Sequence, residues 1–232
     1  MWSYKGIRPT IIRLCLVGLI LGGFGLSTSA ATASKPENQL EEIQFKAEHN
    51  DPEAQYQLGL LLDKGEGVTQ DKSRAISWYR RAAELNYAKA QFLLGILYDQ
   101  GLGVTQDYAQ ALTWYRKAAE QGYAKAEFNL AAMYDEGLGV AQDYMQAALW
   151  YRKAAEQGYA RAQFNLGSMY YKAEGVPQDN TLAYMWLQLA AAQGLAKEVK
   201  ARNALEKNLT TGQIKMAKKL AKEWLAKRPK PR

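Results

Sequence analysis

Two residue types that carry most thiol and metal chemistry are nearly missing: the 232-residue chain has one cysteine, Cys15, and one histidine, His49. No disulfide can form within it, and no cysteine or histidine cluster can hold zinc. Proline is scarce, with 6 residues, so long stretches are free to be helical. The longest apolar run, "LCLVGLILGGFGL" at 14–26, has 13 residues, against about 20 needed to span a bilayer as a helix. No serine stands in Gly-x-Ser-x-Gly, and no glycine loop leads into Gly-Lys-Ser/Thr. A hydrolase nucleophile elbow and a Walker-type phosphate loop are therefore both excluded.

What is present begins with an address. Lys5, Arg8 and Arg13 open the chain without acids, the apolar run follows, and "STSAATAS" at 27–34 supplies small residues. This three-part order predicts a secretory signal over 1–33, cleaved after Ala30 or Ala33, and a periplasmic or secreted mature chain. An uncleaved inner-membrane anchor is the alternative. Cys15 lies inside the apolar run behind Leu14, the wrong place for lipid attachment. The net charge of +7 is uneven: residues 195–232 hold 12 Lys/Arg against 3 Asp/Glu, whereas 34–194 hold 15 against 20. A basic end on an acidic body predicts a weak pull toward anionic envelope surfaces and acidic partners. With an export signal and acidic repeats, nucleic acid is not an expected partner.

Self-comparison carries most of the information. Trp78, Trp114, Trp150 and Trp186 are 36 residues apart, as are Gly67, Gly103, Gly139 and Gly175, and Asp71, Asp107, Asp143 and Asp179. Four units run without insertion: 51–86, 87–122, 123–158 and 159–194. Each unit has the pattern of two helices, the first with Ala54, Tyr56, Leu58 and Leu61–Leu62 in unit one and Ala90, Phe92, Leu94 and Leu97–Tyr98 in unit two. Apolar residues at i, i+4 and i+7 or i+8 mark a buried face. Gly59, Gly95, Ala131 and Gly167 recur on it at a cost in helix propensity, which predicts close helix–helix approach. The Trp-Tyr pairs of the second helices recur too strictly for a carbohydrate platform, and core packing is the expectation.

The loops "GEGVTQD", "GLGVTQD", "GLGVAQD" and "AEGVPQD" (65–71, 101–107, 137–143, 173–179) punctuate the helices. Gly65, Gly101 and Gly137 stand where the first helix stops and can close it in left-handed geometry. Asp71, Asp107 and Asp143 follow as N-caps, with Gln110 and Gln146 placed to complete capping boxes. Asn86, Gly122, Gly158 and Gly194 share one slot, filled by residues that tolerate positive φ. Residues 34–50 form a degenerate second helix that caps the N-terminal end. At the other end, Leu195–Asn208 is expected to form one more helix. Thr210 and Gln213 then open a basic amphipathic helix, and "RPKPR" is expected to fray.

The unit "AQFLLGILYDQGLGVTQDYAQALTWYRKAAEQGY" (90–123) resembles the Sel1-like repeat, a relative of the tetratricopeptide repeat. The resemblance rests on A-x-x-x-L-G-x-x-Y, G-x-G-V-x-x-D and A-x-x-W-Y-x-K-A-A-x-x-G, and covers 51–194. Unit four departs from it, with Ala173 for the first loop glycine and Leu187 for the repeated tyrosine. The resemblance implies an all-α, α/α superhelical solenoid of helix-turn-helix repeats with capping helices, and a role in protein–protein interaction.

In such a superhelix the first helices line the concave side. The positions there that vary between units form a candidate ligand groove: Lys89, Leu93, Ile96, Lys125, Asn129, Arg161, Asn165 and Ser168. The asparagines can donate to and accept from a peptide backbone, and the cations can hold a carboxylate. Ordinary solvent-facing residues are the plainer reading of the same stripe. His49 falls in the register of Leu85, Gln121 and Gln157, at a helix end. Asp63, Asp99 and Asp135 recur with the repeat, which fits local capping or surface pairing. No convergent, activated catalytic set emerges, and no cofactor is implied. The expectation is a non-catalytic adaptor of the cell envelope that takes a protein or peptide in its groove. A cell-wall or β-lactam hydrolase, or a protein docked to anionic surfaces by its basic tail, are the alternatives.

Overall fold

The computed structural model describes residues 36–194 and 196–227, which are helical throughout and joined by short loops. The expected signal segment 1–33, residues 34–35, Leu195 and the tail 228–232, where fraying is expected, lie outside the described residues. Helix α1 (Pro36–Glu48) is followed by four pairs. These are α2 (Pro52–Lys64) with α3 (Lys72–Glu84), α4 (Ala88–Gln100) with α5 (Tyr108–Glu120), α6 (Ala124–Glu136) with α7 (Tyr144–Glu156), and α8 (Ala160–Lys172) with α9 (Asn180–Ala191). Helices α10 (Ala196–Glu206) and α11 (Thr211–Lys227) close the array. Each second helix packs on its own first helix and on the next one. This is an all-α solenoid of repeated pairs.

The loops behave as punctuation. Gly65, Gly101 and Gly137 close α2, α4 and α6 at φ of 73°, 67° and 70°. Ala173 closes α8 in the same left-handed geometry at φ 59°, so the fourth loop keeps its shape without glycine. Asp71, Asp107, Asp143 and Asp179 cap the second helices, each accepting from a backbone N–H of the first turn. The expected capping boxes are corrected here. The N–H groups of Asp107 and Asp143, which Gln110 and Gln146 were to satisfy, donate instead to Tyr98 O and Tyr134 O at 2.9 Å. That bond ties each cap to the preceding helix and leaves the glutamine no task. The box at Thr210 is complete: Thr210 N–H donates to Gln213 Oε1 at 3.0 Å, and Gln213 N–H to Thr210 Oγ1 at 3.2 Å.

The core is a column of tyrosines and alanines. Tyr79, Tyr115 and Tyr151 are at most 2% exposed, and Ala82, Ala118 and Ala154 are fully buried beside them. A methyl group at Gly59 would fall 2.5 Å from Tyr79 Cε1, and one at Gly95 would collide with the Tyr115 ring. The small residues therefore exist to admit the ring. The tryptophans sit at the edge of this column: Trp78 and Trp114 are half-buried, Trp150 and Trp186 buried. Arg81, Lys117 and Lys153 lie over the rings of Trp78, Trp114 and Trp150 at 4.6, 4.3 and 3.8 Å. At the equivalent position after Trp186 stands Leu189, and Trp186 meets Trp224 of α11 edge to face at 5.8 Å. The basic terminal helix thus covers the last repeat, keeping Lys215, Lys218, Lys219 and Lys222 exposed.

A polar ladder runs through the same core. Gln55, Gln91 and Gln163 are at most 1% exposed and donate to Ala47 O, Ala83 O and Ala155 O at 3.0–3.2 Å. Ala47 belongs to α1, so for the first repeat this helix supplies the carbonyl that a second helix supplies elsewhere.

Candidate functional site

The row of first helices carries the expected groove residues in three different settings. Lys89 and Lys125 are exposed, and Lys89 stands 5.8 Å from the Tyr87 ring. Leu93, Asn129 and Arg161 are half-buried, and the Arg161 guanidinium stands near the Tyr159 hydroxyl. Ile96 is half-buried against the hydrophobic core, so its side chain is tied to packing more than the varying stripe implied. Ser168 donates to Phe164 O at 3.0 Å. Asn165 lies beside the buried Tyr151 phenol.

That contact belongs to a three-residue arrangement built across two repeats. Tyr151 rises from α7 and its hydroxyl donates to Asp135 Oδ2 of α6 at 3.5 Å, while Asn165 comes from α8. Burial, reinforced by Glu174, raises the Asp135 carboxyl to about 6. Burial replaces the expected capping or surface pairing at Asp99 and Asp135. Asp99 is 8% exposed, and the backbone carbonyls of Asp63, Asp99 and Asp135 each accept a side-chain bond at 2.7 Å from Gln70, Gln106 and Gln142. The repeated glutamine of the loop motif is therefore a strap from the loop to the helix end. Its constant place before the capping aspartate was the signal for it.

Beyond the third repeat the arrangement lapses. One period later than Asp135, Tyr151 and Asn165 stand Tyr171, Leu187 and Ala201. A cavity of about 540 Å³ lies there, between α8, α9 and α10. Of the expected groove residues it gathers Asn165 and Ser168, and it adds Asp135, Lys172, Lys197 and Lys200. Lys89, Leu93, Ile96, Lys125, Asn129 and Arg161 do not line it. Among the described residues no group of three or more His, Cys, Asp or Glu side chains is placed to hold a metal ion. No helix among them is long and apolar enough to cross a membrane.

Stacked helix pairs with a constant frame and a varying first-helix face define a repeat protein of the α/α solenoid class. Within that class, the Sel1 repeat matches residues 52–87, 88–123, 124–159 and 160–195, and the chain belongs to the Sel1 repeat family. Among solved structures it is similar to a protective antigen of uropathogenic Escherichia coli that displays an SLR fold. That match has 40% identity and a TM-score of 0.74, over 85% of this chain and 42% of that one. It is also similar to a Sel1 repeat protein from Oxalobacter formigenes, at 38% identity and TM-score 0.66, over 70% and 67% of the two chains. The chain thus spans under half the length of the first relative. No curated protein matches it. Sel1 repeat proteins are generally protein-interaction scaffolds and generally non-catalytic.

Proposed function

We propose that this chain is an adaptor of the cell envelope that holds an extended segment of a protein partner along its row of first helices. The observation that carries the reading is the contrast between frame and lining. Straps, caps and buried rings repeat with the 36-residue period. The residues at the Lys89, Leu93 and Ile96 positions change to Lys125, Asn129 and Ala132, and then to Arg161, Asn165 and Ser168. A constant frame with a varying face is how a solenoid sets specificity without losing stability. Export rests on the basic opening, apolar run and small residues of 1–33.

The test is capture from an envelope extract by the immobilised chain, compared with the variant Lys89→Glu/Lys125→Glu. Both lysines are exposed, so the variant keeps the fold. Proteins retained by the native chain and lost by the variant support the groove. Identical retention by both overturns it.

A further inference from the structure

In three repeats, an aromatic ring of the first helix touches two tyrosines. Tyr56 meets Tyr79 and Tyr87 at 5.8 and 5.5 Å between centroids. Phe92 meets Tyr115 and Tyr123 at 5.9 and 5.2 Å, and Phe128 meets Tyr151 and Tyr159 at 5.6 and 5.2 Å. One tyrosine is the buried ring of the second helix, and the other opens the next first helix.

Phe164 is the fourth ring in this series, and both of its tyrosines are replaced. Leu187 holds the place of Tyr151, and Leu195, outside the described residues, holds the place of Tyr159 in the sequence. Phe164 is half-buried where Phe92 and Phe128 are buried, and among the described residues it faces no other ring. Lys197 stands over it instead, its ammonium 4.9 Å from the ring centroid. Leu187 Cγ lies 3.0 Å from where a methyl on Gly167 would sit. The leucine therefore fills the space nearest the backbone but ends where a tyrosine ring would continue. Ala201 and Ala204 of α10 face the same gap. The result is the cavity of about 540 Å³, walled by Phe164, Met169, Leu187, Ala201, Ala204 and Leu205.

We infer that this cavity is an anchor site for an aromatic side chain of a partner segment that carries an acidic residue beside it. The ring replaces the missing tyrosine on Phe164. The chain's own first three repeats show which chemistry fills the place. The acidic neighbour is selected by Lys197 and Lys200 on the α10 wall, in a C-terminal region where Lys/Arg outnumber Asp/Glu by 12 to 3. Asp135 and Glu174 are the acids of the lining, and Glu174 is paired with Lys172 at 3.3 Å. The assignment deepens the adaptor reading and rests on it, since an anchor pocket at one end of the row fixes the register of a segment laid along it.

The experiment is an NMR titration of the full chain with the blocked tripeptide acetyl-Glu-Phe-Glu-amide. Acetyl-Glu-Leu-Glu-amide and acetyl-Lys-Phe-Lys-amide serve as comparators. Shifts mapped to Phe164, Leu187, Ala204 and Leu205 are expected. Affinity should be about tenfold stronger for the acidic aromatic peptide than for either comparator. Leu187→Tyr, which supplies the ring from within, should weaken that binding by about tenfold or more and raise the melting temperature. Equal binding of the leucine peptide, shifts elsewhere, or no binding at millimolar peptide would each overturn the assignment. Should Leu187→Tyr fail to fold, Ala204→Leu fills the same cavity from α10 and gives the same readout. The Lys89→Glu/Lys125→Glu variant separates the two readings. Acidic-peptide binding at the cavity together with identical protein capture by the native chain and this variant leaves the anchor standing without the groove. Capture lost in the variant, with no peptide binding by the native chain, leaves only the groove.

Discussion

Gln157 Nε2 donates to Glu127 Oε2 at 2.8 Å, a bond that repeats between Gln121 and Gln91 at 2.7 Å and between Gln193 and Gln163 at 3.1 Å. The partner in the core is glutamine in two of these pairs and glutamate in one. Gln91 and Gln163 pass a second bond on to Ala83 O and Ala155 O. Ionised Glu127 has no proton to pass to Ala119 O. Glu127 is 3% exposed, and burial raises its pKa against the lowering effects of Gln157 and Lys153. A carboxyl raised in the folded state contributes stability below its unfolded pKa and loses it as pH rises through the folded value. Glu127→Gln should therefore raise stability at neutral pH by about 1 kcal/mol. The gain should shrink as pH falls into the carboxylate range. Urea unfolding of both chains at pH 7 and pH 4 checks it.

Asp135 supplies a second pH signature by the same sign. Its carboxyl, raised to about 6 by burial and by Glu174 and Glu136, with Lys172 and Tyr151 acting the other way, stabilises the fold when protonated. The melting temperature of the native chain should fall between pH 5 and pH 7 by more than that of Asp135→Asn, which keeps an acceptor for Tyr151. A carboxyl carbon titration in which Asp135 has its midpoint near 4 would refute the argument.

Tyr79 and Tyr151 hold the same place in different company. Tyr151 bonds to Asp135 and has Asn165 beside its hydroxyl, whereas the buried Tyr79 hydroxyl has no hydrogen-bond partner among the described residues. One period before Asn129 and two before Asn165 stands Leu93, which offers the Tyr79 phenol nothing. Removing an unpartnered buried hydroxyl costs little, while removing a partnered one strands its neighbours. Tyr79→Phe should be neutral or stabilising, and Tyr151→Phe should cost about 1–2 kcal/mol. Leu93→Asn should make the Tyr79 hydroxyl valuable, measured as a double-mutant cycle with Tyr79→Phe.

The frame was legible in the sequence because its cause is local. Gly65, Gly101 and Gly137 announce left-handed closures, Asp71, Asp107 and Asp143 announce caps, and the 36-residue spacing of Trp78 and Trp114 sets the period. Bonds between separated positions were not legible. Gln91 and Gln163 have the composition of a wet surface until the helix pair buries them, and Asp135, Tyr151 and Asn165 meet only because neighbouring repeats stack. The cavity was half-visible. Leu187 was a marked departure from the repeat, but its consequence depends on α10, which places Ala201 and Ala204 beside it.

Ala173 and Gly175 separate backbone strain from steric room within one loop. Ala173 sits at φ 59° and ψ 35°, a region that disfavours any residue with a Cβ, and its three sister positions are glycines. Ala173→Gly relieves that strain but gives the unfolded chain more freedom. The strain term of about 1–2 kcal/mol exceeds the entropy term of about 0.5–1 kcal/mol, so a small net stabilisation is expected. Gly175 also has positive φ, at 68°, and a methyl there would collide with the carbonyl of Tyr144 on α7. Backbone on both sides leaves nothing to rotate away, so Gly175→Ala should destabilise by more than Ala173→Gly stabilises. It should also loosen α7 against the α8–α9 loop. Hydrogen exchange at the Tyr144 and Met145 amides reads this directly, with faster exchange in Gly175→Ala and unchanged exchange in Ala173→Gly.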